Sequence, residues 1–168
     1  APGFEHHPAA SLPQLEGDGY RLRLIAGSGW GLHAPATTFS PMFYAALELD
    51  VGARFTLPAD YSQRAVYAVD GAVLLDGEAL ETQRMAVLSA GQDTTIEAPA
   101  TGQSVRLMLL GGEPLDGERF IYWNFVASSR AAIDEAKERW RAQRFAPVPG
   151  ETEWIPLPEA RKPPESFS

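Results

Sequence analysis

The chain has 168 residues, no cysteine, and a formal charge of −8 from 14 Lys and Arg against 22 Asp and Glu. That length suits one domain burying about 70% of its extended-chain surface without metal or disulfide staples. The acidic balance argues against nucleic acid as the main partner, an affinity that comes from clustered Lys and Arg on phosphates. The lack of cysteine removes disulfides, thiolate nucleophiles and cysteine-ligated metals.

Residues 1–19 carry Pro2, Pro8 and Pro13 and read as an extended lead-in, a composition that holds neither a helix nor a central strand. The start, Ala-Pro-Gly-Phe-Glu, lacks the basic and apolar regions of a signal peptide, and no run approaches the roughly 18 apolar residues of a membrane helix. The expected setting is therefore the cytoplasm, without a membrane. Since Ala1 is not methionine, either an initiator Met was removed or the chain is part of something longer.

From Tyr20 to Ala26 apolar and charged residues alternate, the period of a half-buried strand, until Gly27-Ser-Gly-Trp-Gly31 breaks it. Phe43, Ala45, Leu47 and Leu49 share one face of a second strand. Strands at 54–57 and 65–69 follow, and Asp70-Gly71 predicts a type I′ hairpin turn into 72–75, with a further turn at Asp76-Gly77. Strands at 85–88, 94–98 and 105–110 complete a series whose short, evenly spaced members predict a β-sandwich or barrel. Gly111-Gly112 reads as a turn, and not as a phosphate loop, because no helix begins after it.

Residues 120–126, Phe-Ile-Tyr-Trp-Asn-Phe-Val, predict a single aromatic strand that covers or extends the sheet. Ser128 or Ser129 can cap one helix over 130–143, with Ile133, Ala136 and Trp140 as its apolar stripe and Glu135 and Arg139 spaced to pair. The tail holds Pro147, Pro149, Pro156, Pro158, Pro163 and Pro164; it reads as extended, with Trp154, Ile155 and Leu157 to bury.

The stretch from Gly52 to Gly71 resembles the first motif of the cupin superfamily, a glycine followed at set intervals by His-x-His, Glu and a turn glycine. The glycines are kept and the ligands are not. Pro58 and Asp60 stand at the histidine places, Arg64 at the glutamate place, and Thr94, three residues after Gly91, at the remaining histidine place. A divalent ion needs imidazoles and carboxylates; Pro58 offers no side-chain donor and Arg64 brings a cation. One carboxylate at Asp60 does not make a site.

Further pieces narrow the resemblance to the pirin family and to its C-terminal half: Phe4-Glu-His-His-Pro8, Arg21-Leu-Arg-Leu-Ile-Ala-Gly27, Phe39-Ser-Pro41, Arg64-Ala-Val-Tyr67, Arg144-Phe145 and Ile155-Pro-Leu-Pro158. The most specific combination is Leu109-Leu-Gly-Gly-Glu-Pro114 with Trp123-Asn-Phe-Val126. The resemblance implies an all-β fold, a cupin-type jelly-roll barrel or sandwich with one C-terminal helix and an extended Pro-rich tail. It divides the chain into 1–19, resembling the linker out of an N-terminal cupin, 20–126, the barrel, and 127–168, a helix and tail packed on it.

Pirins are bicupins whose N-terminal cupin holds iron through three histidines and a glutamate. The resemblance therefore implies no metal and no catalytic residue in this chain, with iron in the absent N-terminal cupin, of the same protein or another, as its partner. The family's quercetin dioxygenase activity would lie with that iron. The degenerate places, Pro58, Asp60, Arg64 and Thr94, leave a structural or interaction half as the leading expectation, with a dioxygenase completed by the other half and an anion-binding module at Arg64 as alternatives. For Arg64 the expected partner is an internal acid, Asp60 or Glu48. His6 and His7 read as surface residues, His33 as a histidine with no catalytic partner, and Tyr122 and Trp123 as core aromatics rather than a stacking platform.

Overall fold

The computed structural model describes residues 5–147 and 150–158. Pro2, Phe4, Pro149, Pro163 and Pro164 of the expected lead-in and tail lie outside them. The chain forms two compact units, Ala1–Pro114 and Leu115–Ser168.

The first unit is a sandwich of two antiparallel sheets. Its strands are β1 (Gln14–Gly17), β2 (Tyr20–Gly29), β3 (Leu32–His33), β4 (Met42–Leu49), β5 (Arg54–Leu57), β6 (Gln63–Asp70), β7 (Val73–Leu75), β8 (Glu78–Leu80), β9 (Met85–Leu88), β10 (Thr94–Glu97) and β11 (Val105–Gly112). The larger sheet runs β1-β2-β4-β11-β6-β9, with β3 on β2, and the smaller runs β5-β10-β7-β8. Period-two alternation sends every second side chain inward. Leu22, Leu47, Leu107 and Ala68 align across four strands of the larger sheet, and all are at most 1% exposed. Phe55, Leu57, Val73 and Ile96 meet them from the smaller sheet in one core. Truncating such a leucine to alanine costs about 2–5 kcal/mol.

Several expectations change. Residues 14–17 are not mere lead-in but the edge strand β1, which the preceding prolines permit because an edge needs only one hydrogen-bonded side. Asp70-Gly71 does not close a hairpin: of the pair only Gly71 has positive φ, +86°, and the chain crosses there from the larger sheet to the smaller. The type I′ geometry, with positive φ at both positions, falls on Asp76-Gly77 between β7 and β8 and on Trp30-Gly31 between β2 and β3.

The second unit contains what reads in the sequence as one aromatic strand. It is a hairpin of β12 (Phe120–Tyr122) and β13 (Phe125–Ala127), turned at Trp123, whose φ is +54°. These strands pair with each other and not with a larger sheet, so the sandwich ends at Pro114 rather than at Val126. Helix α1 (Arg130–Arg141) packs on the hairpin, capped by Ser129, whose Oγ accepts from the Ala132 amide at 3.2 Å. Glu135 does not pair with Arg139. The Arg139 guanidinium lies 4.7 Å from the Phe145 ring centre, and the helix's ion pairs are Asp134–Lys137 and Glu138–Arg141. Trp140 touches Trp123, Phe125, Phe145 and Trp154, and its Nε1 donates to the Ile155 carbonyl at 2.8 Å, which fastens the tail. Among the described residues no helix is long and apolar enough to cross a membrane.

Candidate functional site

The register of the larger sheet places Gly27, Phe43, Gly111, Arg64 and Leu88 in one row across β2, β4, β11, β6 and β9. In that row Gly111 and Gly112 are the last residues of β11, not a turn. A side chain at Gly111 would collide with the Phe43 ring, so the glycine makes room for that ring inside the sandwich.

Arg64, next in the row, is 2% exposed. Its Nη1 donates to the carbonyls of Leu57 at 3.2 Å and Pro58 at 3.0 Å, and its Nη2 to those of Ser89 at 2.7 Å and Gln92 at 2.5 Å. Nε is buried without a partner among the described residues. The expected acid is not there: Glu48 pairs with Arg21 at 3.3 Å, Asp60 is exposed, and no ion pair of the described residues includes Arg64. Four carbonyl dipoles solvate the guanidinium in place of a carboxylate, which keeps a buried cation hydrogen-bonded without desolvating a second charge.

The four degenerate positions are thus only partly assembled. Arg64 reaches the main chain of Pro58, and Thr94, 5% exposed, pairs in register with Leu57 at the adjoining strand end. Asp60 stands at the surface. Aromatic rings take up the neighbouring interior: Trp30 meets Phe43 edge-on at 5.1 Å, and Phe43 meets Tyr61 at 5.4 Å. The free space they leave beside Pro58 and Asp60 is about 10 Å³, room for about one water.

The loop between β5 and β6, which carries Pro58 and Asp60, is bolted down at further points. The Ala59 amide donates to Asp93 at 2.8 Å, Ser62 donates its amide and hydroxyl to Glu113 at 3.2 and 2.8 Å, and the Tyr61 hydroxyl donates to the Ser28 carbonyl at 2.9 Å. Glu113 gives the Leu-Gly-Gly-Glu-Pro motif a physical purpose that strand periodicity does not disclose. A proline, an exposed aspartate, a committed arginine and a threonine do not fit a divalent cation. Among the described residues no cluster of three or more His, Asp or Glu has metal-binding proximity.

The remaining candidates fall outside this site. His33 does have a hydroxyl partner, Ser28 Oγ at 2.7 Å from Nδ1, across the β2–β3 hairpin. Only the fold brings the two together. The pair is exposed and His33 makes no hydrogen bond to a carboxylate among the described residues, so nothing orients the imidazole as a base. His7 Nε2 lies 3.2 Å from Glu5. Thr37 donates its amide and hydroxyl to the same carboxylate, which is lowered to about 2 chiefly by these two bonds. Tyr122 and Trp123 are not core: the Lys137 ammonium lies 4.7 Å over the half-buried Tyr122 ring, and Trp123, 37% exposed, meets Phe125 and Trp140 edge-on in the second unit.

Comparison with known proteins fits this geometry. The family model of the pirin C-terminal cupin domain matches residues 44–146. A pirin-like protein of Caulobacter vibrioides is 43% identical over 160 residues, covering 94% of this chain and 54% of the relative. Two crystal structures of quercetin 2,3-dioxygenase from Acinetobacter baumannii are similar, one with TM-score 0.73, 29% identity and coverage of 82% and 49% of the two chains. The other has TM-score 0.76, 25% identity and coverage of 94% and 52%. The chain spans about half the length of the relatives it matches.

Proposed function

The chain belongs to the pirin family, and on that premise we propose that it is a metal-free C-terminal cupin, the structural and interaction half of a bicupin. The observation that carries this is the Arg64 latch. A guanidinium at one ligand place, bonded to the carbonyls of Leu57, Pro58, Ser89 and Gln92, ties the end of β5, beside the places of Pro58 and Asp60, to the loop that leads to Thr94. The cross-link a metal supplies by coordination is supplied here by hydrogen bonds. The half keeps its shape with no ion to hold, and its surfaces are what it offers the rest of the protein.

The test is metal analysis of the purified chain after growth with iron, followed by Fe(II) titration. The expected result is sub-stoichiometric metal and no saturable heat; one tightly held ion per chain overturns the reading.

A dioxygenase acting on a flavonol is the second reading, and the similarity to quercetin 2,3-dioxygenase favours it for the complete protein. Oxygen chemistry requires a redox metal or an organic cofactor, and in this reading iron sits in the N-terminal half. This chain contributes no step of its own. Loss of flavonol with Fe(II), measured for this chain alone and with an N-terminal cupin supplied, separates the two: activity of the chain alone contradicts the division of labour. An anionic ligand at Arg64 is not favoured, because its four Nη hydrogens are already committed to carbonyls.

A further inference from the structure

Edge strands expose unpaired amides and carbonyls, and soluble proteins blunt them with charge. Three edges of the sandwich follow that rule. Strand β1 carries Glu16, paired with Arg21 at 3.0 Å; β5 carries Arg54, paired with Glu97 at 3.0 Å; β8 begins at Glu78. Strand β9 breaks it. Its sequence is Met-Ala-Val-Leu, with β6 as its sole strand neighbour among the described residues, and its outward side chains Met85 and Val87 are 58% and 83% exposed.

Beside β9 the outer face of the larger sheet opens into a groove of about 560 Å³ whose walls include Val87, Ala65, Leu110, Tyr44 and Met42. Arg64, the one charged residue along it, turns its guanidinium inward to its carbonyls. Phe39, 97% exposed, precedes Met42 by three residues. An uncapped apolar edge continuous with an apolar face resembles the cut surface of a larger core more than a finished exterior.

We infer that β9 and this groove are the seat of the iron-bearing cupin of the same protein. The inference rests on the bicupin reading above and adds to it the face that is used. The occupant is argued from length: the matched Caulobacter relative has 46% of its chain (100 minus the 54% covered) left for another part, enough for a second sandwich. A broad, shallow, uncharged face suits the outer sheet of such a sandwich, packed at about 10 Å, or a strand of it added to β9. A small-molecule site buries most of its ligand, which an open sheet face does not do.

The experiment is amide hydrogen exchange across Met85–Leu88, in the complete polypeptide encoded by the reading frame that contains this chain and in the 168-residue chain alone. The free-edge amides of β9 should exchange at least about tenfold more slowly in the complete polypeptide. Val87→Arg should abolish that slowing, while Leu74→Arg, on the smaller sheet at 41% exposure, should leave it intact. Equal exchange in the two proteins overturns the proposed face, and iron held in the complete polypeptide then leaves the bicupin reading standing. Slowing that grows with concentration in the chain alone replaces the occupant with a second copy. A reading frame without another cupin removes both inferences.

Discussion

Nη2 of Arg64 donates to the main-chain carbonyl of Ser89 at 2.7 Å, joining β6 of the larger sheet to the loop that leads into β10. Pro58 and Gln92 complete a clamp that closes this end of the sandwich without any acidic residue.

Arg64→Met should therefore act on stability. It keeps the apolar stem but leaves four carbonyls without their donor, a loss of roughly 3–5 kcal/mol by analogy with breaking a buried charged network. Arg64→Lys should recover only part, since an ammonium cannot span carbonyls on both sides as a planar fork does. Urea unfolding checks this: a lowered midpoint at unchanged slope is expected, and a midpoint equal to wild type would show that the clamp is idle.

Gly111→Ala should displace the Phe43 ring, whose atoms occupy the place of the new methyl. The cost should be about 1–3 kcal/mol, as for other overpacked cores. In a Phe43→Leu background it should shrink, because the smaller side chain yields the space. A double-mutant cycle measures that coupling; strict additivity would mean that the two positions do not compete.

The lead-in should detach in acid. Glu5 is lowered from 4.5 to about 2, first by the Thr37 hydroxyl, then by the Thr37 amide and by His7. A depressed carboxylate contributes stability that is full above its unfolded value and is lost as pH falls from about 4.5 through about 2. The Thr37 amide, followed by NMR through that window, should lose its protection as pH falls. In Glu5→Gln the protection should no longer change with pH.

Trp140→Ala should loosen the second unit by roughly 3 kcal/mol, since the ring joins hairpin, helix and tail. Trp140→Phe should cost less, about 1 kcal/mol for the lost Nε1 bond to Ile155 plus some packing. Protease sensitivity of residues 150–158 reports the tail: cleavage should quicken in both variants and more in the alanine one.

The alternation of Phe43, Ala45, Leu47 and Leu49 and the cap at Ser129 could be read in advance because they are local: period-two burial and a side chain reaching three residues along the chain need no distant partner. Pro58, Asp60, Arg64 and Thr94 could be assigned in advance to the places where the family resemblance expects ligands, because those places are counted in intervals along the chain. Which Asp-Gly closes a hairpin was not local, since Asp70-Gly71 and Asp76-Gly77 share a dipeptide and differ in which sheet receives the next strand. Nor was the partner of Arg64. Composition points to an acid, but main-chain carbonyls carry no signature in the sequence, and only the convergence of Leu57, Pro58, Ser89 and Gln92 in space made them its ligands. Sequence alone thus determined the strand-rich sandwich and which residues, Pro58, Asp60, Arg64 and Thr94, stand where the family resemblance expects ligands. Tertiary structure decided which carbonyls Arg64 bonds and left β9 as the apolar edge, because both depend on groups that meet only after the sheets have closed.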